Sequence, residues 1–239
     1  MDSKSPNKEN NRPDAQYGAL GGMLESENKL VNCLETEFKL LQKFHLSGVI
    51  VVPHLNDIKV WDGTIFVRQG LYKGGIFKFR LWFPEDYPNS APKVYFSTSI
   101  YHPMIDYKTG DVDIMHFFKK WELGKNYAIS VLKLLKNLFY LNEFFKIEDS
   151  FNPDAARNYS RNYSEYRNRC IESVNESLRD KYSNEESSSL KFSEFTDFHG
   201  KLIKNLKERP EKSDHEKVEG FKNWLIGAWK DSMVQNSHK

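Results

Sequence analysis

The sequence predicts an α+β fold: one helix, then a four-stranded antiparallel meander, then carboxy-terminal helices packed against it. Three observations carry this. Apolar residues recur at helical spacing through Leu30, Leu34, Phe38 and Leu41. Four short runs rich in β-branched and aromatic residues come next, separated by Gly, Pro and Asp and by no helical pattern. Helical periodicity then returns from Tyr127 onward. Short connections without intervening helices favour antiparallel pairing over βαβ units.

Residues 1–19 lack apolar periodicity and read as a disordered arm. The first helix is expected from Met23 to Phe44, with Glu35, Lys39 and Gln42 off its apolar stripe and Cys33 beside it as a small hydrophobe. The four strands are expected at Gly48–Val52, Ile58–Val67, Gly75–Phe83 and Lys93–Ser97. In the third, Phe77, Phe79, Leu81 and Phe83 alternate with Lys78, Arg80 and Trp82, which predicts one buried face and one partly solvated face.

Prolines 84, 88, 92 and 103 then punctuate an irregular region ending at Trp121. A second helix is expected over Tyr127–Phe145, polar only along Ser130, Lys133, Lys136 and Asn137. Asn152-Pro153-Asp154 starts another: Asn caps the free amides, Pro suits the first turn, and Asp favours the positive end of the dipole. Tyr159, Tyr163, Tyr166, Cys170, Val174 and Leu178 form one stripe of that helix. The folded domain spans residues 20–180. Residues 181–217 read as a polar linker containing a short helix, and 218–234 as an amphipathic helix with Val218, Phe221, Trp224, Leu225, Ala228 and Trp229 on one side.

The 239 residues carry 35 basic and 33 acidic side chains with no block of like charge, which argues against nucleic-acid or anionic-membrane binding. The amino terminus has no apolar core of a signal peptide, and no apolar run is long enough to span a bilayer. Two cysteines, Cys33 and Cys170, are too few for a disulfide framework or a zinc site. A cytoplasmic protein is the expectation.

Several motifs in fixed order carry a family resemblance. Gly74-Gly75-Ile76-Phe77 precedes Phe83-Pro84-Glu85-Asp86-Tyr87-Pro88, then Ala91-Pro92-Lys93-Val94 and Tyr101-His102-Pro103, with Trp121 and Asn152-Pro153 following. This order resembles the ubiquitin-conjugating (UBC) enzyme family over residues 20–180 and implies the UBC fold. Phe66-Val67-Arg68-Gln69-Gly70-Leu71-Tyr72, His102-Pro103-Met104-Ile105-Asp106, Gly110-Asp111-Val112-Asp113 and Phe151-Asn152-Pro153-Asp154-Ala155-Ala156 are most similar to its fused toes (FTS) subfamily. That resemblance implies a non-catalytic protein. It also implies protein partners, a Hook-type coiled-coil adaptor and an FTS-and-Hook-interacting protein, in a complex that promotes vesicle trafficking.

The chemistry of the loop agrees with that implication. Ubiquitin transfer needs a thiolate to hold the acyl group as a thioester. Counting from His102 by the spacing of active members reaches Val112; allowing one extra residue before Gly110 reaches Asp113. Neither supplies sulfur, and an acyl-aspartate is a mixed anhydride, too water-labile to serve as a carrier. Active members place Asn where Met104 stands, and a thioether has no donor for an oxyanion. His102, Pro103 and Trp121 are then scaffold. His102 and His116 lack further ligands at metal spacing, Asp106 and Asp113 make only a weak cation pair, and Asp111 and Asp113 share an outward face; no metal and no cofactor is expected.

Two uses of the remaining surface are open. Phe221, Trp224, Leu225 and Trp229 could dock a partner as a helix in a groove, or pack back on the chain's own domain. Lys78, Arg80 and Trp82 could present the outward sheet face to ubiquitin noncovalently, the alternative to an adaptor role.

Overall fold

The computed structural model describes residues 14–44, 46–140, 147–184 and 187–208, with the backbone alone at 14–27, 206 and 208. Helix α1 (Asp14–Lys43) leads into strands β1 (Val49–Pro53), β2 (Val60–Phe66), β3 (Ile76–Trp82) and β4 (Lys93–Phe96). They form one antiparallel sheet in the order β1-β2-β3-β4. A one-turn helix α2 (Met115–Phe118) and helices α3 (Ala128–Leu138), α4 (Pro153–Arg161) and α5 (Tyr163–Arg179) follow, then a 3-10 turn at Asp180–Tyr182 and helix α6 (Asp197–Glu208). The predicted α+β order is therefore present. Among the described residues, no helix is long and apolar enough to cross a membrane.

The core lies between the sheet's inner face and helices α1 and α3. Phe77, Phe79, Leu81 and Phe83 all point inward and are buried, as their alternation predicts. Trp61 packs edge-on against Phe38 and Phe83, while Phe77 stacks on Phe139 with ring centroids 4.8 Å apart. Each such side chain contributes roughly 2–3 kcal/mol by leaving water.

Glu37 is buried within this apolar layer. Its carboxyl accepts hydrogen bonds from the Tyr87 hydroxyl at 2.7 Å and from the Ala128 amide, the first residue of α3, at 3.0 Å. Burial pushes its pKa up even though both bonds favour the charged form. One carboxyl thereby joins α1, the proline-rich loop and the positive end of α3.

Four element boundaries differ from the sequence reading. α1 begins at Asp14, inside the segment read as an arm, where Gly18, Gly21 and Gly22 hide the helical pattern. The second helix stops at Leu138 rather than Phe145 because Phe139 leaves it to stack on Phe77. The stripe from Tyr159 to Leu178 belongs to two helices: Asn162 ends α4, and its side chain caps α5 by accepting from the Glu165 amide at 3.3 Å. Tyr163 and Leu178 consequently lie exposed, while Tyr166, Cys170 and Val174 are buried. α2 interrupts a region read as loop.

The fourth strand connection holds the largest surprise. On the sheet's outer face Asp62 is 4% exposed and Thr64 0%, so β2 is buried on both sides. Residues 183–184 and 187–192, read as linker, lie across that face as a strap. The Ser189 amide donates to Asp62 Oδ2 at 2.7 Å and the Ser189 hydroxyl accepts from the Leu55 amide at 2.8 Å. Lys78 Nζ donates to the Ser183 carbonyl at 2.7 Å, and Phe192 meets Phe66 edge-on. Asp62 also accepts from Arg80 Nε at 2.8 Å and lies 2.9 Å from His54 Nδ1. Burial pushes the Asp62 carboxyl up, but these bonds from His54, Ser189 and Arg80 outweigh it and hold the group below its ordinary range. The expected partly solvated Lys78–Arg80–Trp82 face is present, with Lys78 and Arg80 half-buried and Trp82 36% exposed at the far end.

Replacing Glu37 by Ala leaves the Tyr87 hydroxyl and the Ala128 amide without their acceptor. Urea denaturation of Glu37→Ala is expected to show a loss of about 2–3 kcal/mol. A loss below about 0.5 kcal/mol would mean that the carboxyl joins nothing that matters.

Candidate functional site

The loop following β4 is built on His102. Its ring is buried, with Met104's amide donating to Nδ1 at 3.1 Å and the Leu138 carbonyl 3.1 Å from Nε2. Because Nδ1 accepts, the proton sits on Nε2 and donates to Leu138, the last residue of α3. Burial pushes the imidazole pKa down to about 4, opposed only by the Leu138 carbonyl. The ring is therefore neutral near pH 7 and is a backbone connector, not a proton donor or acceptor for chemistry. Pro103 continues the same role, its carbonyl accepting from the Asn152 amide at 3.0 Å just ahead of α4.

Met104 is 1% exposed, its thioether in the core. Its carbonyl accepts from the Asp113 amide at 3.3 Å, and Ile105 bridges Val112, so the two arms of the loop lie side by side. The turn between them is internally tied. Asp106 Oδ1 accepts from the amides of Lys108 and Thr109, each at 2.8 Å, and these bonds lower its pKa. Gly110 has φ +76°, and a Cβ there would collide with the Phe96 carbonyl, so only glycine fits.

Asp113 is half-buried. Its Oδ1 accepts from the His116 amide at 3.0 Å and so caps the first turn of α2. Asp111 points outward and is engaged by the Thr109 hydroxyl at 2.7 Å. The two carboxylates do share the outward side, with Val112 buried between them, but each has a local structural partner. Among the described residues no cluster of His, Cys, Asp and Glu could hold a metal ion. Trp121 closes the far side of the loop, its Nε1 donating to the Pro88 carbonyl at 2.9 Å and its ring beside Tyr87 and Phe118.

Both cysteines have their thiols pushed up by burial. Cys33 is half-buried on α1, and burial together with Glu37 pushes its thiol up. Cys170 is closer to the loop than its sequence position suggests: its Sγ lies 3.9 Å from the Tyr101 carbonyl. It is nonetheless fully buried, and burial pushes its thiol up to about 11. A thiol that is neutral and shielded from solvent does not attack an acyl group.

The family model for ubiquitin-conjugating enzymes matches residues 33–174. The chain belongs to the ubiquitin-conjugating enzyme family. It is 34% identical over 142 residues to the AKT-interacting protein of Danio rerio, covering 59% of this chain and 47% of that protein. It is 37% identical over 149 residues to the protein AKTIP homolog of Nematostella vectensis, covering 61% and 47%. It is 35% identical over 144 residues to the AKT-interacting protein of Mus musculus, covering 59% and 48%. These relatives bear out the resemblance to the fused toes subfamily. The chain spans about half the length of the curated relatives it matches.

The structure places Met104 and Asp113 on two joined arms of one loop behind His102 and Pro103, and Trp121 beyond α2 against Tyr87 and Phe118. Phe221, Trp224, Leu225 and Trp229 lie outside the described residues. Two polar groups that shape the surroundings went unremarked in the sequence. Glu37 had a signal, since it falls within the α1 stripe three residues after Leu34. Asp62 had none, because what buries it arrives from residue 189, 127 positions away.

The His102 geometry fixes a pH dependence. In the unfolded chain its imidazole takes up a proton near pH 6.5, whereas in the fold it stays neutral down to about pH 4. Its contribution to stability is full above about pH 6.5 and is lost as pH falls toward 4, by roughly 3 kcal/mol in all. Urea denaturation at pH 7, 5.5 and 4 is expected to show that decline, and His102→Asn is expected to be less stable at pH 7 but flatter. Equal slopes for the two proteins would contradict a buried neutral ring.

Proposed function

We propose that the chain is a catalytically inactive ubiquitin-conjugating-enzyme-like protein that serves as an adaptor subunit in the cytoplasm. Its partners in this reading are a Hook-type coiled-coil protein and an FTS-and-Hook-interacting protein, in a vesicle-trafficking complex. The observation that carries the reading is Asp113. The position that the resemblance assigns to the nucleophile holds a carboxylate already engaged in capping α2. Met104, where active relatives place their oxyanion donor, is turned into the core. Asp106, Thr109, Asp111 and Asp113 of the loop are bound into local structure, and the shape of the domain remains as the part that can work.

The alternative, noncovalent ubiquitin binding through the outer sheet face, draws less support. Asp62, Lys78 and Arg80 on that face are engaged by the chain's own strap or by one another. A partner reaching them must first displace Ser183 and Ser189.

Two experiments test the proposal. Affinity purification of the tagged full chain from its native cells, followed by mass spectrometry, is expected to recover a Hook-type coiled-coil protein. Recovery of ubiquitin or its ligases with no such protein would sink the adaptor reading. In a charging assay with activating enzyme, ATP and ubiquitin, no reductant-sensitive adduct is expected. Asp113→Cys alone is expected to stay at least about 100-fold below an active relative, because Met104 still offers no oxyanion donor. Transfer within tenfold of that relative would refute the claim that the site is dismantled twice over.

A further inference from the structure

Strand β1 forms one edge of the sheet, and its backbone groups divide unevenly between the two sides. The Phe66 amide donates to the Gly48 carbonyl and the His54 amide to the Val60 carbonyl, each at 2.8 Å. In an antiparallel ladder such bonded pairs recur at every second residue, so Ile50 and Val52 also face β2. The backbone groups of Val49, Val51 and Pro53 therefore point away from the sheet, and among the described residues no strand pairs with them. The Val49 amide turns back to the Leu46 carbonyl at 3.0 Å, and Pro53 has no N–H. What this edge offers is one donor, at Val51, and three acceptors, the carbonyls of Val49, Val51 and Pro53.

A cleft of about 310 Å³ adjoins the edge, lined by Val49 and Val51, by Leu41 and Phe44 at the end of α1, and by Leu46 and Leu132. Phe44 is 55% exposed, and Ile50, on the other face of the strand, 45%. Lys133 Nζ lies over the Phe44 ring, 5.9 Å from its centroid, and Lys43 next to it in the chain is exposed. The acids on this stretch of α1 do not offset these charges: Glu35 pairs with Lys39, and Glu37 is buried and engaged by Tyr87 and Ala128. An apolar cleft with a basic rim thus lies beside an open strand edge.

We propose that this edge and cleft take an extended segment of a partner protein, apolar at alternate positions and flanked by Asp or Glu, as a fifth antiparallel strand. A residue opposite Val51 exchanges two hydrogen bonds with it, and the residues two places to either side donate to the carbonyls of Val49 and Pro53, four bonds in all. The side chains of those three residues project on the same face as Val49 and Val51, into the cleft. A second copy of the chain fits less well. Paired β1 to β1 about Val51, it makes only the two bonds at Val51, since the facing proline has no N–H and the facing Val49 amide is spent on Leu46. It also sets two basic rims together, whereas an acidic segment neutralises one. The inference goes beyond the adaptor reading and does not depend on which protein supplies the strand.

The probe is a phage-displayed library of random linear peptides selected against the immobilised full chain, with enriched peptides synthesised and titrated by fluorescence polarisation. Enriched peptides are expected to alternate apolar residues between Asp or Glu, and to slow hydrogen exchange at the Val51 amide when bound. Val51→Pro removes the donor at a position whose N–H faces away from β2, so the sheet keeps its own bonds. It is expected to weaken peptide binding at least about tenfold while β2 and β3 keep their exchange protection. Lys43→Glu/Lys133→Glu leaves β1 untouched and is expected to weaken binding several-fold at low salt. If Val51→Pro loses protection in β2 and β3, the Val51 amide of the unsubstituted chain decides instead. No enrichment over a bare surface overturns the proposal, as does binding that survives Val51→Pro or is indifferent to both the lysine charges and salt. A dimer by light scattering that Val51→Pro dissolves overturns it in favour of a second copy. A Val51 amide already protected in the free monomer overturns it in favour of the chain's own residues.

Discussion

Both ring nitrogens of His102 are committed to backbone groups, one within its own loop and one at the end of α3, and the ring is buried. The loop, the last turn of α3 and the stacked aromatics beneath them are all placed by that commitment. Met104 can enter the core because its amide is already satisfied by Nδ1. α3 can end at Leu138 because the carbonyl left over has an imidazole N–H to accept. Phe139 is then free to turn onto Phe77. An imidazole able to titrate at neutral pH would undo this, since a charged ring in that position would present a donor to the Met104 amide. Burial strong enough to hold the ring neutral is thus a condition of the architecture, not a by-product of it.

Around that connector the polar side chains of the loop are engaged by local partners. Asp106 ties the turn, Thr109 engages Asp111, and Asp113 caps α2. Glu37 does the same for α3 from within the apolar layer. Each of these groups ends a helix or closes a turn, and none converges with another on an open cavity. The side chains of Asp106, Asp111 and Asp113 are thereby held by partners close to them in the chain.

Most of the fold was legible because it rests on short-range pattern. The alternation from Phe77 to Phe83 gave the buried face of β3, and Asn152-Pro153-Asp154 gave the start of α4 with its cap. The family itself was legible for a different reason, as a sequence of motifs in fixed order. What was not legible came from contacts between distant segments. The end of α3 is set by a ring stacking on β3, the break at Asn162 by a cap that competes with an unbroken apolar stripe, and the burial of Asp62 by a residue far along the chain. Periodicity carries no information about which loop will lie over which strand.

The strap also changes what counts as the domain. The region that matches the family model ends at Val174, yet the outer face of β2 is closed only by residues beyond it. A chain cut at residue 180 would carry every family motif intact. It would also leave a buried carboxylate, an unpartnered threonine hydroxyl and the ring of Phe66 suddenly bare on a flat sheet, beside an open β1 edge. Such a truncation would be folded in its interior and sticky on its surface. The boundary of the motif is therefore not the boundary of solubility, and the residues that look most like a tether are part of the wall.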